Sequence, residues 1–148
     1  MRSALALAIL SVACAAGPPG PAVLDTRNES CSWCRMAISD ARSAAQLVAP
    51  LEEPRFFDDI GCLGRYLAGR GAPSRVAVAY VADHRTKAWV HAGAAIYTMV
   101  PSLQTPMGSH LTAHVDAASR DADPDAKGGT PRALADVFGP DGPPGDGR

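Results

Sequence analysis

The chain has 148 residues, a length that fits one domain. Its formal net charge of -1 excludes a field strong enough to draw nucleic acid or an anionic membrane surface. Hydrophobic residues make up 47% but aromatics only 5%, so the core is small, aliphatic and rich in alanine.

Residues 1–16 read as an export signal: Arg2 supplies the charge, residues 4–10 an apolar stretch, and small residues follow. The stretch falls short of the roughly 20 apolar residues that span a bilayer. Ser11-Val12-Ala13-Cys14 is an imperfect bacterial lipobox, which would make Cys14 a lipidated N-terminus; ordinary cleavage near Ala16 would discard it. Residues 17–30 are a Gly/Pro linker, suited to holding a domain off a membrane. Cys31, Cys34 and Cys62 remain after processing, an odd number for a compartment that oxidises thiols.

The domain spans residues 31–138. Residues 35–38 read as a short strand and 44–48 as its hairpin partner. Ile60, Leu63, Tyr66 and Leu67 recur at helical spacing after an Asp58-Asp59 cap, and Gly69 and Gly71 end that helix. Cys62 lies in its first turn, where backbone N–H groups favour the thiolate. Residues 75–82 form the clearest strand, apolar on both faces. An extended run over 87–91, a strand or helical turn over 94–100 and a strand over 111–115 follow. Asp116 caps a short helix ended by Pro124, residues 132–138 make a last helical turn, and 139–148 read as a disordered tail. The strand-strand-helix-strand order of the first half echoes weakly in the second.

Soft ligands concentrate in Cys31-Ser-Trp-Cys34-Arg-Met36, and cysteine with methionine suits Cu(I) better than a hard cation. On an extended segment Cys34 and Met36 share a face, so one ion could take both sulfurs. Simple core packing is the plain alternative for Met36. A Cys31–Cys34 disulfide and a thioredoxin-like redox pair are the alternatives for the cysteines, while zinc would need a fourth ligand. Met107, between Pro106 and Gly108, sits in a loop that offers its side chain to a site. His110 and His114 could each add an imidazole, but both, with His84 and His91, read first as solvated surface residues. No Ser/His/Asp set and no phosphate-cradling glycine loop is present in the sequence.

Four stretches in order resemble the NosL family of periplasmic, lipid-anchored copper-binding proteins. They are Cys31-Ser-Trp-Cys34-Arg-Met36, Phe57-Asp58-Asp59-Ile60-Gly61-Cys62-Leu63, Tyr80 through Tyr97, and Pro106-Met107-Gly108. The resemblance covers roughly residues 28–138. It implies an α+β fold of two small ββαβ halves, similar to part of organomercurial lyase. It also implies Cu(I) as cargo, no enzymatic activity, and delivery to nitrous oxide reductase through an ABC-type maturation complex. The family's Cys-x-Met pair falls on Cys34 and Met36 and its Met-Gly methionine on Met107, with Cys31, Cys62 or His110 as further donors. Arg35 stands where the family usually has glycine. The expected molecule is a monomer anchored through Cys14 in the periplasm.

Overall fold

The structure, a computed structural model, describes residues 17–69 and 76–145, so the export segment and Cys14 lie outside the described residues. Two antiparallel sheets carry the fold. The first runs β2-β1-β3-β4, from Ala45–Val48 (β1), Arg55–Phe57 (β2), Val78–Ala82 (β3) and Trp89–His91 (β4). The second runs β6-β5-β7, from Ile96–Met99 (β5), Leu111–His114 (β6) and Thr130–Arg132 (β7).

Each half follows one plan. In β1-β2-α1-β3 and again in β5-β6-α2-β7 the first strand lies between the other two, and the helix follows the second strand. Helix α1 spans Ile60–Gly69 and α2 spans Ala117–Ala122. This is the expected pair of ββαβ halves, with β4 added to the first sheet.

Strand alternation sorts β1. Ala45 and Leu47 face the main core with Phe57, Ala79, Val81, Ile60 and Leu63. Val48 faces the other way, with Val78 and Tyr80. That second face is covered by the segment expected to be a free linker. The Tyr80 hydroxyl donates to the Pro19 carbonyl at 2.7 Å. The Ala22 amide donates to Gln46 Oε1 at 2.7 Å, and Gln46 Nε2 donates back to the Ala22 carbonyl at 3.2 Å. Buried Gln46 is thereby satisfied, and β3 is covered on both faces as its unbroken apolar run requires.

Three expectations need correction. Residues 35–38 form no strand of the sheet; Ala37 makes one isolated bridge to Ser30, and β1 pairs with β2 instead. The cause is a turn, in which Cys31 N donates to the Met36 carbonyl and Arg35 adopts φ 67°. Strands β2 and β7 were not anticipated, being three residues each. Strand β7 even contains Pro131, which an edge strand tolerates. The tail is held within its described part: the Ala79 amide donates to the Pro144 carbonyl at 3.0 Å, while the Ala79 carbonyl accepts from Ala92 N at 2.9 Å.

The helices fall where their signals placed them. The Asp116 carboxylate accepts from Ser119 N at 2.7 Å and caps α2. A short 3-10 turn, Pro124–Ala126, follows, and α3 covers Leu134–Phe138. Helix α1 packs on β1, β2, β6 and α3, so one apolar core runs through both halves. Among the described residues no helix is long and apolar enough to cross a membrane.

Candidate metal centre

The cysteine loop is pinned to the first sheet by its backbone. Ser32 N donates to the Phe56 carbonyl at 2.8 Å, and Arg35 N to the Cys31 carbonyl at 3.0 Å. The positive φ at Arg35 is a conformation that glycine adopts most easily, here held by a non-glycine residue. Cys62 comes from the first turn of α1. Together these place the Sγ atoms of Cys31, Cys34 and Cys62 within 4.8 Å of one another. Cys31 and Cys62 are fully buried, and Cys34 is half-buried at the opening. All three are free thiols.

The electrostatics are unequal. Burial pushes the Cys31 thiol up, but the amides of Asp58, Cys34 and Trp33 around its sulfur outweigh burial and hold it below the ordinary cysteine value. The Cys34 amide, for one, donates to Cys31 Sγ at 3.5 Å. Cys34 is pushed up by burial first and then by its neighbour Cys31. Cys62 is pushed up strongly, by burial first and by Cys31 next. The helix-start argument therefore named the wrong thiolate: at Cys62 desolvation and neighbouring sulfur win over the dipole, and Cys31 is the sulfur best prepared to be anionic.

The two methionines take different places. Met36 is 55% exposed and is not among the residues packed on the cluster that holds the cysteines. Met107 packs against the same core cluster that contains Cys31, Cys62 and, at its margin, Cys34. Its loop is tied to α1 by one buried carboxylate. Asp59 Oδ2 accepts from the Thr105 hydroxyl at 2.7 Å and from Met107 N at 3.1 Å, while Oδ1 accepts from Gly61 N at 2.7 Å. Asp59 thus fixes the Pro-Met-Gly loop to the helix turn that carries Cys62. Neither Asp58 nor Asp59 is arranged as an acid/base pair; each is occupied by backbone and hydroxyl donors. His110 lies outside the converging sulfurs, its Nδ1 bonded to the Leu103 carbonyl at 2.7 Å.

A second group was missed altogether. His84 and His114, read from sequence as surface residues, are 2% and 0% exposed and both bond to Asp123. No spacing in the chain signals it, because His84 lies in the first half and the other two in the second.

Three sulfurs closing on one point, two inside and one at the surface, can hold a soft ion and release it by exchange from the open side. A family model described as NosL matches residues 22–139. No curated protein and no solved structure matches.

Proposed function

The chain belongs to the NosL family, and from that premise we propose that it is a periplasmic Cu(I) metallochaperone serving the maturation of nitrous oxide reductase or another cuproenzyme. The observation that carries the proposal is the convergence of the Cys31, Cys34 and Cys62 sulfurs within 4.8 Å of one another. Three soft donors of this kind favour Cu(I) over hard divalent ions. Copper is the cargo, and no bond of a substrate is made or broken.

In this reading Cys31 and Cys62 form the inner wall and Cys34 closes the site toward solvent. Met36 is the first sulfur a partner meets, and Met107 supplies a thioether from the loop that Asp59 anchors. A receiving protein displaces Met36 and Cys34 first, so copper passes by stepwise ligand exchange and is never released free. Lipidation at Cys14 would keep a monomer at the membrane, within reach of an ABC-type maturation complex.

Anaerobic titration of the reduced protein with Cu(I), in competition with a chromophoric chelator, tests the assignment. One Cu(I) per chain is expected, with clear weakening in Cys34→Ser and a smaller loss in Met107→Ala. No stoichiometric uptake, or wild-type binding in Cys34→Ser, would overturn it. Fatty-acid labelling that persists in Cys14→Ala would remove the anchor.

A thiol-disulfide oxidoreductase using Cys31 and Cys34 is the second reading. The lowered Cys31 thiol favours it. Against it stands the complete burial of that sulfur, which a disulfide substrate must reach. Reduction of insulin by the metal-free protein, with a trapped mixed disulfide, would support the second reading over the first.

A further inference from the structure

We propose that His84, His114 and Asp123 form a second metal site, for a divalent ion of the zinc class, that fastens the two halves of the molecule together. It is separate from the sulfur centre in its residues and in its chemistry.

The three residues come from three places. His84 lies in the turn between β3 and β4, His114 ends β6, and Asp123 joins α2 to the 3-10 turn. His84 Nδ1 lies 2.8 Å from Asp123 Oδ2, and His114 Nε2 lies 2.9 Å from the same oxygen. All three ligating atoms fall within 4.8 Å of one another, and the residues are 2%, 0% and 3% exposed. The backbone supports this approach, since His84 N donates to the Ala113 carbonyl at 2.8 Å. Around a tetrahedral zinc, with bonds of about 2.0–2.2 Å, donor atoms stand about 3.3 Å apart. The two histidine–carboxylate distances need to lengthen by only about 0.5 Å to accept the ion.

Charge argues in the same direction. A buried carboxylate calls for a cation or a metal. Arg42 is committed to Asp40 and the neighbouring Asp125 and makes no ion pair with Asp123. Asp123 itself is met by the two imidazoles and, at Oδ1, by the Asp125 amide at 3.0 Å. That amide leaves Oδ2 turned toward the rings. Two imidazoles and a carboxylate are a borderline donor set, suited to Zn(II) and poorly suited to Cu(I), whose preferred thiolates lie in the other site. His114 Nδ1 is buried with no hydrogen-bond partner. Nothing donates to it, so the ring can carry its proton there when Nε2 takes the ion.

The test uses the full chain with Cys31, Cys34 and Cys62 all changed to Ser, so that no thiolate competes and failure of the copper reading does not bear on the result. Zn(II) alone is titrated by calorimetry, and the histidine ring nitrogens are followed by 15N NMR. One Zn(II) per chain is expected, with shifts at His84 Nδ1 and His114 Nε2, and affinity at least about 10-fold lower in Asp123→Asn. No stoichiometric Zn(II), or shifts confined to His91 and His110, would overturn the proposal. Undiminished affinity in a folded Asp123→Asn or His84→Gln would overturn it too.

Discussion

At the scale of single residues, the sulfur site rests on backbone more than on side chains. Four amide contacts shape the Cys31 loop, and one carboxylate, Asp59, ties the methionine loop to α1. Asp83 plays a similar part at the junction of the halves. Its carboxylate accepts from Thr86 N and Oγ1 at 2.9 Å, from Val115 N at 2.9 Å and from Ser119 Oγ at 2.8 Å. Burial would raise this group, but those donors outweigh burial and hold it at about 2. Its pKa in the folded protein therefore lies below the unfolded value, so its stabilisation is full above the unfolded value and fades as pH falls toward 2. Asp83→Asn is expected to lose about 2–4 kcal/mol at pH 7, because its amide faces donors. In urea melts, the gap to wild type should narrow between about pH 4 and pH 2. An undiminished gap at pH 2 would mean that the charge is not what stabilises.

The spacing of Cys31, Cys34 and Met36, and the odd loop position of Met107, were legible in the sequence because sulfur chemistry names itself. The burial of His84 and His114 was not. Each histidine is polar and follows or ends a short strand, and only the docking of one half on the other removes it from water. Cys62 shows the limit of local argument: its helix position was right, and its charge preference was reversed by burial first and then by neighbours that no local window contains.

At the scale of elements, α1 carries the clearest lesson. Gly61 and Gly64 lie inside it, and glycine lowers helix propensity by about 1 kcal/mol. They are places of close approach. A Cβ on Gly64 would stand 2.7 Å from the Val137 carbonyl oxygen of α3, and one on Gly61 would stand 2.8 Å from the Ser109 Cβ of the methionine loop. Gly64→Ala should therefore destabilise by about 1–2 kcal/mol despite its better propensity, because the obstacle is backbone and cannot rotate away. A gain in thermal stability would contradict the α1–α3 contact. The long, strongly patterned elements, α1 and β3, were readable. Strands β2 and β7 were not, because three residues carry too little pattern and their pairing depends on β1 and β5 lying alongside.

At the scale of the whole molecule, the segments flanking the two sheets close the fold. Residues 19–24 cover the outer face of the first sheet, and Pro144 completes the hydrogen bonding of β3. A Gly/Pro composition suggested slack at both ends, yet short contacts to Tyr80, Gln46 and Ala79 hold them. Gln46→Ala should cost about 1–3 kcal/mol by leaving the Ala22 amide unsatisfied. It should also raise hydrogen exchange at Ala22 while α1 stays protected. Loss of protection throughout the core would instead make Gln46 a global rather than a local tie. The two halves differ in what they carry around their helices: the first has sulfur around the start of α1, and the second has His114 and Asp123 around α2, met by His84 from the first. The weak echo in sequence reflected the doubled ββαβ plan in the order of elements, though not residue by residue.

In the proposed function, one soft ion is gripped by sulfur drawn from both the Cys31 loop and helix α1. X-ray absorption at the copper edge of the Cu(I)-loaded chain, read for wild type and for Cys62→Ser, decides whether both elements contribute. Wild type should show a coordination shell of sulfur alone, and the variant a shell with one sulfur fewer. A shell dominated by nitrogen or oxygen, or one unchanged in Cys62→Ser, would contradict the proposal.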